Sequence, residues 1–455
     1  MRFIILSICF MTTLWSKSQP NIVFMIADDC TFRDLGCYGG QAKTPHLDRL
    51  AREGMKFTRC FQAAPMCSPT RHNIFTGLYP VSSGAYPNHT RVDPGVQSIV
   101  QYLTPLGYRV AQSGKTHVAP AEVFDWEKIP GGKNPSFEEV STYVKKISKT
   151  KTPFCLLLCS NEPHTPWTHG DPSQYPPEKI KLPPYLLDTP ETREGMSRYF
   201  AEITYFDSQV GEAMRIIDEA GIADNTLFIV VSEQGNSLPF AKWTCYDNGL
   251  QSGCLVRWPG VIEKGSLNHA MIEYIDFLPT LIEVAGATPP PQLQGASLLP
   301  TFSGKQKHKE YVYGIMTTRG IINGSDHYGI RSIRSEQHKL IWNLTPEEEF
   351  QNVCMKSPEF LSWVKQAQTG DQRARELVTR YQKRPPFELY DIKSDPLELK
   401  NLADHPDYST VKEDLHKRLI KWMENCGDLG QQTELSALEK MPGRSPRKAK
   451  KKQKQ

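Results

Sequence analysis

Three short, almost uninterrupted apolar runs constrain this chain more than any other feature: Asn21 to Ala27 (NIVFMIA), Pro153 to Cys159 (PFCLLLC) and Thr226 to Val231 (TLFIVV). A strand with one wet face alternates polar and apolar residues. These runs do not, so each needs cover on both faces, as in a parallel sheet between layers of helix. Helical patterns fill the gaps. One opens at Thr44-Pro45, a capping residue followed by Pro at the first helical position, and turns Leu47, Leu50 and Ala51 to one side. Another runs from about Met196 to Ala220, with Phe200, Ile203, Phe206, Val210, Met214 and Ile217 at helical spacing, and Gly221 ends it. The pattern predicts an α/β fold, a three-layer sandwich around a mostly parallel central sheet.

Beyond the Pro-rich turn Thr288 to Pro291 the texture changes to strand-like pieces, Tyr328 to Arg334, His338 to Leu344 and Phe387 to Ile392, then a helix at about Thr410 to Asn425. This reads as a smaller C-terminal α+β domain with an antiparallel sheet. The expected division is 1–18, 19–328, 329–440 and 441–455. The first segment, Arg2 followed by an apolar run from Phe3 to Trp15 and then Ser16-Lys17-Ser18, has the form of a secretory signal. That run is too short to span a bilayer, and no later stretch approaches the ~20 apolar residues required. A protein exported through a signal peptide, periplasmic or secreted and without a transmembrane segment, is expected.

The formal net charge is +4, but the last segment holds seven Lys or Arg and no acid, which leaves the remainder at −3. The basic character is therefore a tail, expected to be solvated or to touch a polyanion, and no nucleic-acid partner is expected. Eleven Cys are present, one of them within the signal, and no C-x2-C pair suggests zinc.

Polar residues follow the apolar runs: Asp28-Asp29, then Glu162-Pro163-His164, then Ser232-Glu233-Gln234-Gly235. In open α/β sheets the carboxyl ends of the strands are where ligands bind, so these clusters are expected to share a cleft. Asp28 and Asp29 form an oxygen-rich pair of the kind that suits Ca2+ or Mg2+, or else a polar turn. Cys67-Ser68-Pro69-Thr70-Arg71, with Thr76-Gly77 beyond it, puts a Cys and an Arg on one helix face at a helix start. Unpaired N–H groups there favour an anion. The Cys is either a nucleophile in the making or a buried structural thiol.

Together these residues resemble the formylglycine-dependent sulfatases of the alkaline-phosphatase-like superfamily, over nearly all of residues 20–440. The motifs that carry the likeness are Asn21 to Asp29, the Thr44 to Phe57 segment, Cys67 to Gly77, Gly114-Lys115-Thr116-His117, Pro163-His164, Ser232 to Lys242, and Glu388-Leu389-Tyr390-Asp391 with Asp395-Pro396. Gly114 to Pro120 and Arg331 to Leu344 look most like the N-sulfoglucosamine sulfohydrolase (sulfamidase) branch and its bacterial relatives.

The resemblance implies that a maturation enzyme oxidises Cys67 to formylglycine (3-oxoalanine), whose hydrate attacks sulfur. It implies Arg71, Lys115 and His117 around the hydrate, with His117 as base, His164 as proton donor to the leaving group, and Lys242 gripping the sulfate. It implies a divalent cation, Ca2+ before Mg2+, on Asp28, Asp29, residue 67 and the pair Glu233-Gln234. The family usually has Asp-Asn at that pair. Glu and Gln keep the oxygen donors on a longer arm, and Glu233 has the alternative reading of a base beside the nucleophile. His89, Glu162, Arg331 and Arg334 are candidates for the sugar subsites, the two Arg being otherwise plain strand residues. The expected substrate is a sulfated carbohydrate, a polysaccharide or glycosaminoglycan fragment, bearing an O-sulfate ester or an N-sulfo group. The competing readings are a phosphoester or phosphonate-ester hydrolase of the same superfamily, and a non-catalytic protein that binds sulfated glycans.

Overall fold

The computed structural model describes residues 19–441. The expected signal segment and nearly all of the basic tail lie outside the described residues. Among those described, no helix is long and apolar enough to cross a membrane.

The three apolar runs form adjacent strands: β1 (Asn21–Ile26) pairs in parallel with Phe154–Cys159 on one side and Thr226–Val231 on the other. With β2 (Met55–Phe61), β3 (Arg109–Gly114), β4 (Glu127–Lys128), β5 (Phe154–Cys159), β6 (Thr226–Val231), β7 (Gln251–Arg257), β8 (Ser266–Asn268) and β9 (Ile272–Glu273) they build a nine-stranded sheet. Its order is β4-β3-β5-β1-β6-β7-β2-β8, with β9 also on β2, and only β7 runs against the rest.

Alternation along β1 explains why its sequence is apolar throughout. Val23 and Met25 enter one core with Tyr199, Phe200 and Ile203 of the long helix Pro190–Glu219. Ile22, Phe24 and Ile26 enter the other with Ile74, Phe75, Phe277 and Leu281, and the Phe24 and Phe277 rings meet edge to face at 5.0 Å. Both faces are thus dry and the sandwich has three layers, as expected.

The second sheet, β10 (Val312–Thr317), β11 (Gly329–Arg334), β12 (His338–Asn343) and β13 (Phe387–Asp391), is antiparallel throughout. Helix Ser409–Cys426 covers it, laying Leu415, Leu419 and Met423 on Ile333, Leu340 and Leu389. Strand β10 precedes residue 329, the expected start of this unit. The long helix starts at Pro190 rather than near Met196, because Thr189 caps it: its hydroxyl accepts the Thr192 N–H at 3.1 Å. Two further helices, Pro358–Gln368 and Gln372–Gln382, return to the large unit, where Trp363 Nε1 donates to Thr192 Oγ1 at 2.9 Å.

Candidate active site

Four segments leave the sheet at its carboxyl edge and are tied together there. Asp28 N donates to Glu162 O, Ser160 N to Ile26 O, Lys115 N to Cys159 O and Ala27 N to Val231 O, all at 2.8–3.0 Å, so backbone hydrogen bonds tie the ends of β1, β3, β5 and β6. Facing them is the helix Cys67–Thr76, whose ten residues are all buried although most are polar. A polar helix tolerates burial only if its side chains find partners. Thr70 Oγ1 donates to Ala64 O at 2.6 Å, Asn73 Nδ2 to Leu78 O at 2.6 Å and Thr76 Oγ1 to His72 O at 2.7 Å. His72 takes the Ala119 N–H on Nε2, and burial lowers it to about 4, so it is neutral structure. The first residue of this helix is Cys67, 3% exposed, at the floor of a cleft of about 730 Å³.

Around Cys67 stand paired charges. Asp28 is fully buried between Lys115, which donates to it, and Arg71 at 3.8 Å. Burial pushes Asp28 up, but Lys115, His164 and Arg71 hold it well below the usual carboxylate range. Asp29 receives Lys242 Nζ at 2.7 Å and Ser237 Oγ at 2.9 Å, and burial outweighs these partners to leave it raised. Burial and Asp28 push the Cys67 thiol up, yet Lys242, Lys115 and a hydrogen bond from His164 bring it down to about 6. The cleft floor is therefore built to hold an anion at position 67.

The two candidate acid–base histidines are pushed apart. Burial first, then Lys115 and Arg71, lower His117 to about 3, so it is a neutral acceptor. Its Nε2 lies 2.8 Å from His89 Nδ1, and its Nδ1 is buried with no hydrogen-bond partner among the described residues. His164 donates through Nδ1 to Thr165 O at 2.6 Å and turns Nε2 toward Asp29 at 3.6 Å. Burial lowers His164, but Asp29, a hydrogen bond with Cys67 and Asp28 together leave it raised, so it holds its proton more tightly than His117 does. Opposed shifts of this kind are how one site holds an acid and a base together.

Of the sequence candidates, the structure brings together Asp28, Asp29, Cys67, Arg71, Lys115, His117, His164, Glu233, Gln234, Lys242 and His89. Glu162 lies behind the cleft: its carboxylate accepts from Asn134 Nδ2 at 2.8 Å and it is 3% exposed. Arg331 and Arg334 are corrected outright. Neither lines the cleft nor lies open on its strand: Arg331 is sealed against Asp428 and Glu434, and Arg334 against Asp247 at 3.0 Å. A strand position buried under a helix admits a guanidinium only when carboxylates neutralise it.

Glu233, one of the five expected ligands, is engaged by Arg71 in this structure. Its two oxygens face Arg71 at 2.9 and 3.3 Å, which makes it the buttress of that guanidinium. Gln234 alone reaches both carboxylates, at 3.1 and 2.7 Å, and Cys67 Sγ at 3.1 Å through Nε2, while its Oε1 is buried without a partner among the described residues. Nε2 also donates to Glu233 Oε2 at 3.4 Å, and a half-turn of that amide replaces these four donated hydrogen bonds with an oxygen ligand. Asp28, Cys67 and His164 also bring ligand atoms within 4.8 Å of one another. The two carboxylates and the Gln234 amide oxygen are the oxygen donors that fit a hard divalent cation.

Sequence reasoning missed Ser237, Asn161 and Trp243 in the cleft wall. Each sits within five residues of a motif already singled out, and that adjacency was the available signal. Backbone strain was not legible: Asp29, His89, His117 and Trp243 all adopt positive φ, between 53° and 66°. Such conformations cost about 1–3 kcal/mol each and persist where the surroundings over-determine them, commonly at functional sites.

A family model described as Sulfatase matches residues 20–287, and one described as N-sulphoglucosamine sulphohydrolase, C-terminal, matches residues 235–359. The chain is 34% identical over 427 residues to an ulvan-active sulfatase of Formosa agariphila, covering 91% of this chain and 82% of that one. It is 26% identical over 470 residues to the N-sulphoglucosamine sulphohydrolase of Homo sapiens, covering 89% and 90%. A solved structure of a protein in complex with its substrate D-glucosamine-2-N,6-O-disulfate matches with a TM-score of 0.68 at 19% identity, over 91% of this chain and 99% of that one.

Proposed function

Because this chain belongs to the sulfatase family and is a sulfuric ester hydrolase, we propose that it removes sulfate from a sulfated carbohydrate, with formylglycine made from Cys67 as the source of its nucleophile. The observation that carries this reading is the single buried floor on which Cys67, two carboxylates, Arg71, Lys115 and Lys242 meet. The named activities of the relatives support a carbohydrate substrate, and they include both O-sulfate and N-sulfo removal.

Formylglycine, as its hydrate, supplies one hydroxyl to displace the sugar from sulfur and a second whose deprotonation expels sulfate. A divalent cation, Ca2+ before Mg2+, held by Asp28, Asp29, Gln234 and residue 67, supplies polarisation of the sulfate oxygens. Lys115 and Lys242, one at each side of the carboxylate pair, bind those oxygens and offset the charge that grows on them. Arg71, fixed by Glu233 and by its 2.8 Å bond to Lys115 O, orients residue 67. His164 gives its Nε2 proton to the departing sugar oxygen or nitrogen. His117, neutral in this field, takes the proton whose removal frees sulfate.

The test is sulfate release from a panel of O- and N-sulfated saccharides by protein expressed with a formylglycine-generating enzyme. The Cys67 peptide is expected to be lighter by the thiol-to-aldehyde difference, and release is expected to vanish in Cys67→Ala. Release by protein with an unmodified thiol would overturn the assignment of the nucleophile. A fully converted protein that acts on none of the saccharides would overturn the substrate class.

A further inference from the structure

The cleft does not end at the catalytic floor. Past Thr165, Ser237, Trp243 and Val353, which line both spaces, it opens into a second lobe of about 370 Å³. That volume is at the small end of small-ligand sites. Two indoles stand in its wall. Trp243 is also the ring over which Lys242 sits at 4.9 Å, and Trp167 is fixed by donating Nε1 to Pro163 O at 3.0 Å. The lobe therefore adjoins the floor that carries Lys115, Lys242 and His164, through the wall residues Thr165, Ser237, Trp243 and Val353 that the two spaces share.

Its charge is chosen as well. Arg198, from the long helix, and Lys356 both face the lobe. The carboxylate facing them is Glu359, only 4% exposed and seated against Gly195, where an added Cβ would meet Glu359 Oε1 at 2.5 Å. Glu359 holds Arg198 loosely, at 3.8 Å, and the Arg198 side chain stays 43% exposed. Lys356 has no ion-pair partner among the described residues, so the lobe keeps one uncompensated positive charge. Aromatic faces beside spare cations suit a sugar ring bearing an anion.

We propose that this lobe is a subsite for the sugar adjoining the sulfated one, and that it selects a neighbour carrying an anionic group, a carboxylate or a second sulfate. The proposal rests on the carbohydrate reading above. It makes the substrate an acidic oligosaccharide of two or more residues.

The test uses matched disaccharides with the same sulfated residue and a neutral, a carboxylated or a sulfated neighbour. With fully converted enzyme, kcat/KM is expected to favour an acidic neighbour by about tenfold, the worth of one charge-assisted hydrogen bond. In the double variant Arg198→Ala and Lys356→Ala the acidic-to-neutral ratio is expected to fall toward one, and Arg198→Lys is expected to restore part of it. Which acidic neighbour gains more identifies the anion. A wild type without preference, or a double variant that keeps it, overturns the subsite. If the converted wild type cleaves none of them, the carbohydrate-hydrolase reading fails separately. Titration of tryptophan fluorescence with the same disaccharides then decides the subsite: weaker acidic binding by the double variant supports it, and equal binding overturns it.

Discussion

Lys242 is 3% exposed, and an ammonium is that deeply buried only when its charge is answered, here by Asp29 at 2.7 Å. That arrangement points the cation at position 67 before any substrate arrives. Lys242→Ala is expected to lower kcat by about 10²–10³-fold, the cost of removing one preorganised contact to developing charge. Sulfate release under saturating substrate measures it. His164 makes a different prediction, because a proton donor matters in proportion to how poor the leaving group is. His164→Ala is expected to lose about 10²–10⁴-fold on a sugar sulfate. On an aryl sulfate with an acidic phenol the loss should be far smaller, and equal losses would remove the proton-donor role. Gln234, with its buried unpartnered Oε1, and the carboxylate pair predict that a divalent cation stabilises the fold. Dialysis against a chelator is expected to lower Tm, and Ca2+ to restore it more fully than Mg2+.

The helix Cys67–Thr76 and the segment after β5 show how elements deliver these residues. The polar, wholly buried helix closes at Gly77, whose φ of 65° admits the αL cap. The long helix hides its start only because Thr189-Pro190 repeats the Thr44-Pro45 signal six residues ahead of the apolar periodicity. The segment carrying His164 is pinned by Glu202, whose Oε1 accepts the Thr168 and His169 N–H groups. Burial, and a hydrogen bond with the Glu162 carboxylate, raise Glu202 from 4.5 to about 9. An acid raised in the folded state is neutral there while the unfolded chain has already lost its proton. Stability is thus fully present below the unfolded value and is lost as pH climbs through the folded one. The wild type is expected to lose Tm between about pH 4.5 and 9. Glu202→Gln, which keeps the neutral shape, should flatten that slope, as melting curves across the range would show.

At the scale of the whole molecule, buried ion pairs join the second sheet to its surroundings. Lys339 bridges Asp247 at 2.7 Å and Glu398 at 3.0 Å, Arg334 shares Asp247, and Arg331 closes on Asp428 and Glu434. Replacing Arg331 by Met strands two buried carboxylates. Arg331→Met is expected to cost about 3–5 kcal/mol of stability. Denaturant melts measure the loss, while KM for the sulfated substrate stays unchanged. By itself the sequence determined the three-layer sandwich, since apolar runs of six or seven residues without alternation, too short for a buried helix and separated by helical patterns, suit strands dry on both faces. It likewise placed Asp28, Asp29, His164 and Gln234 at one cleft, since strand ends of such a sheet converge, while Lys115, His117 and Lys242 were reached only through the family resemblance. Only the tertiary structure decided what depends on partners distant along the chain. It gave Arg331 and Arg334 to buried carboxylates, turned Glu233 onto Arg71 and left Gln234 at the carboxylate pair. It also set the positive-φ turns around the cleft and opened the second lobe beside it. The physical reason is the same in each case: periodicity reports the side a residue faces, whereas the charge or cavity waiting on that side is built by other segments.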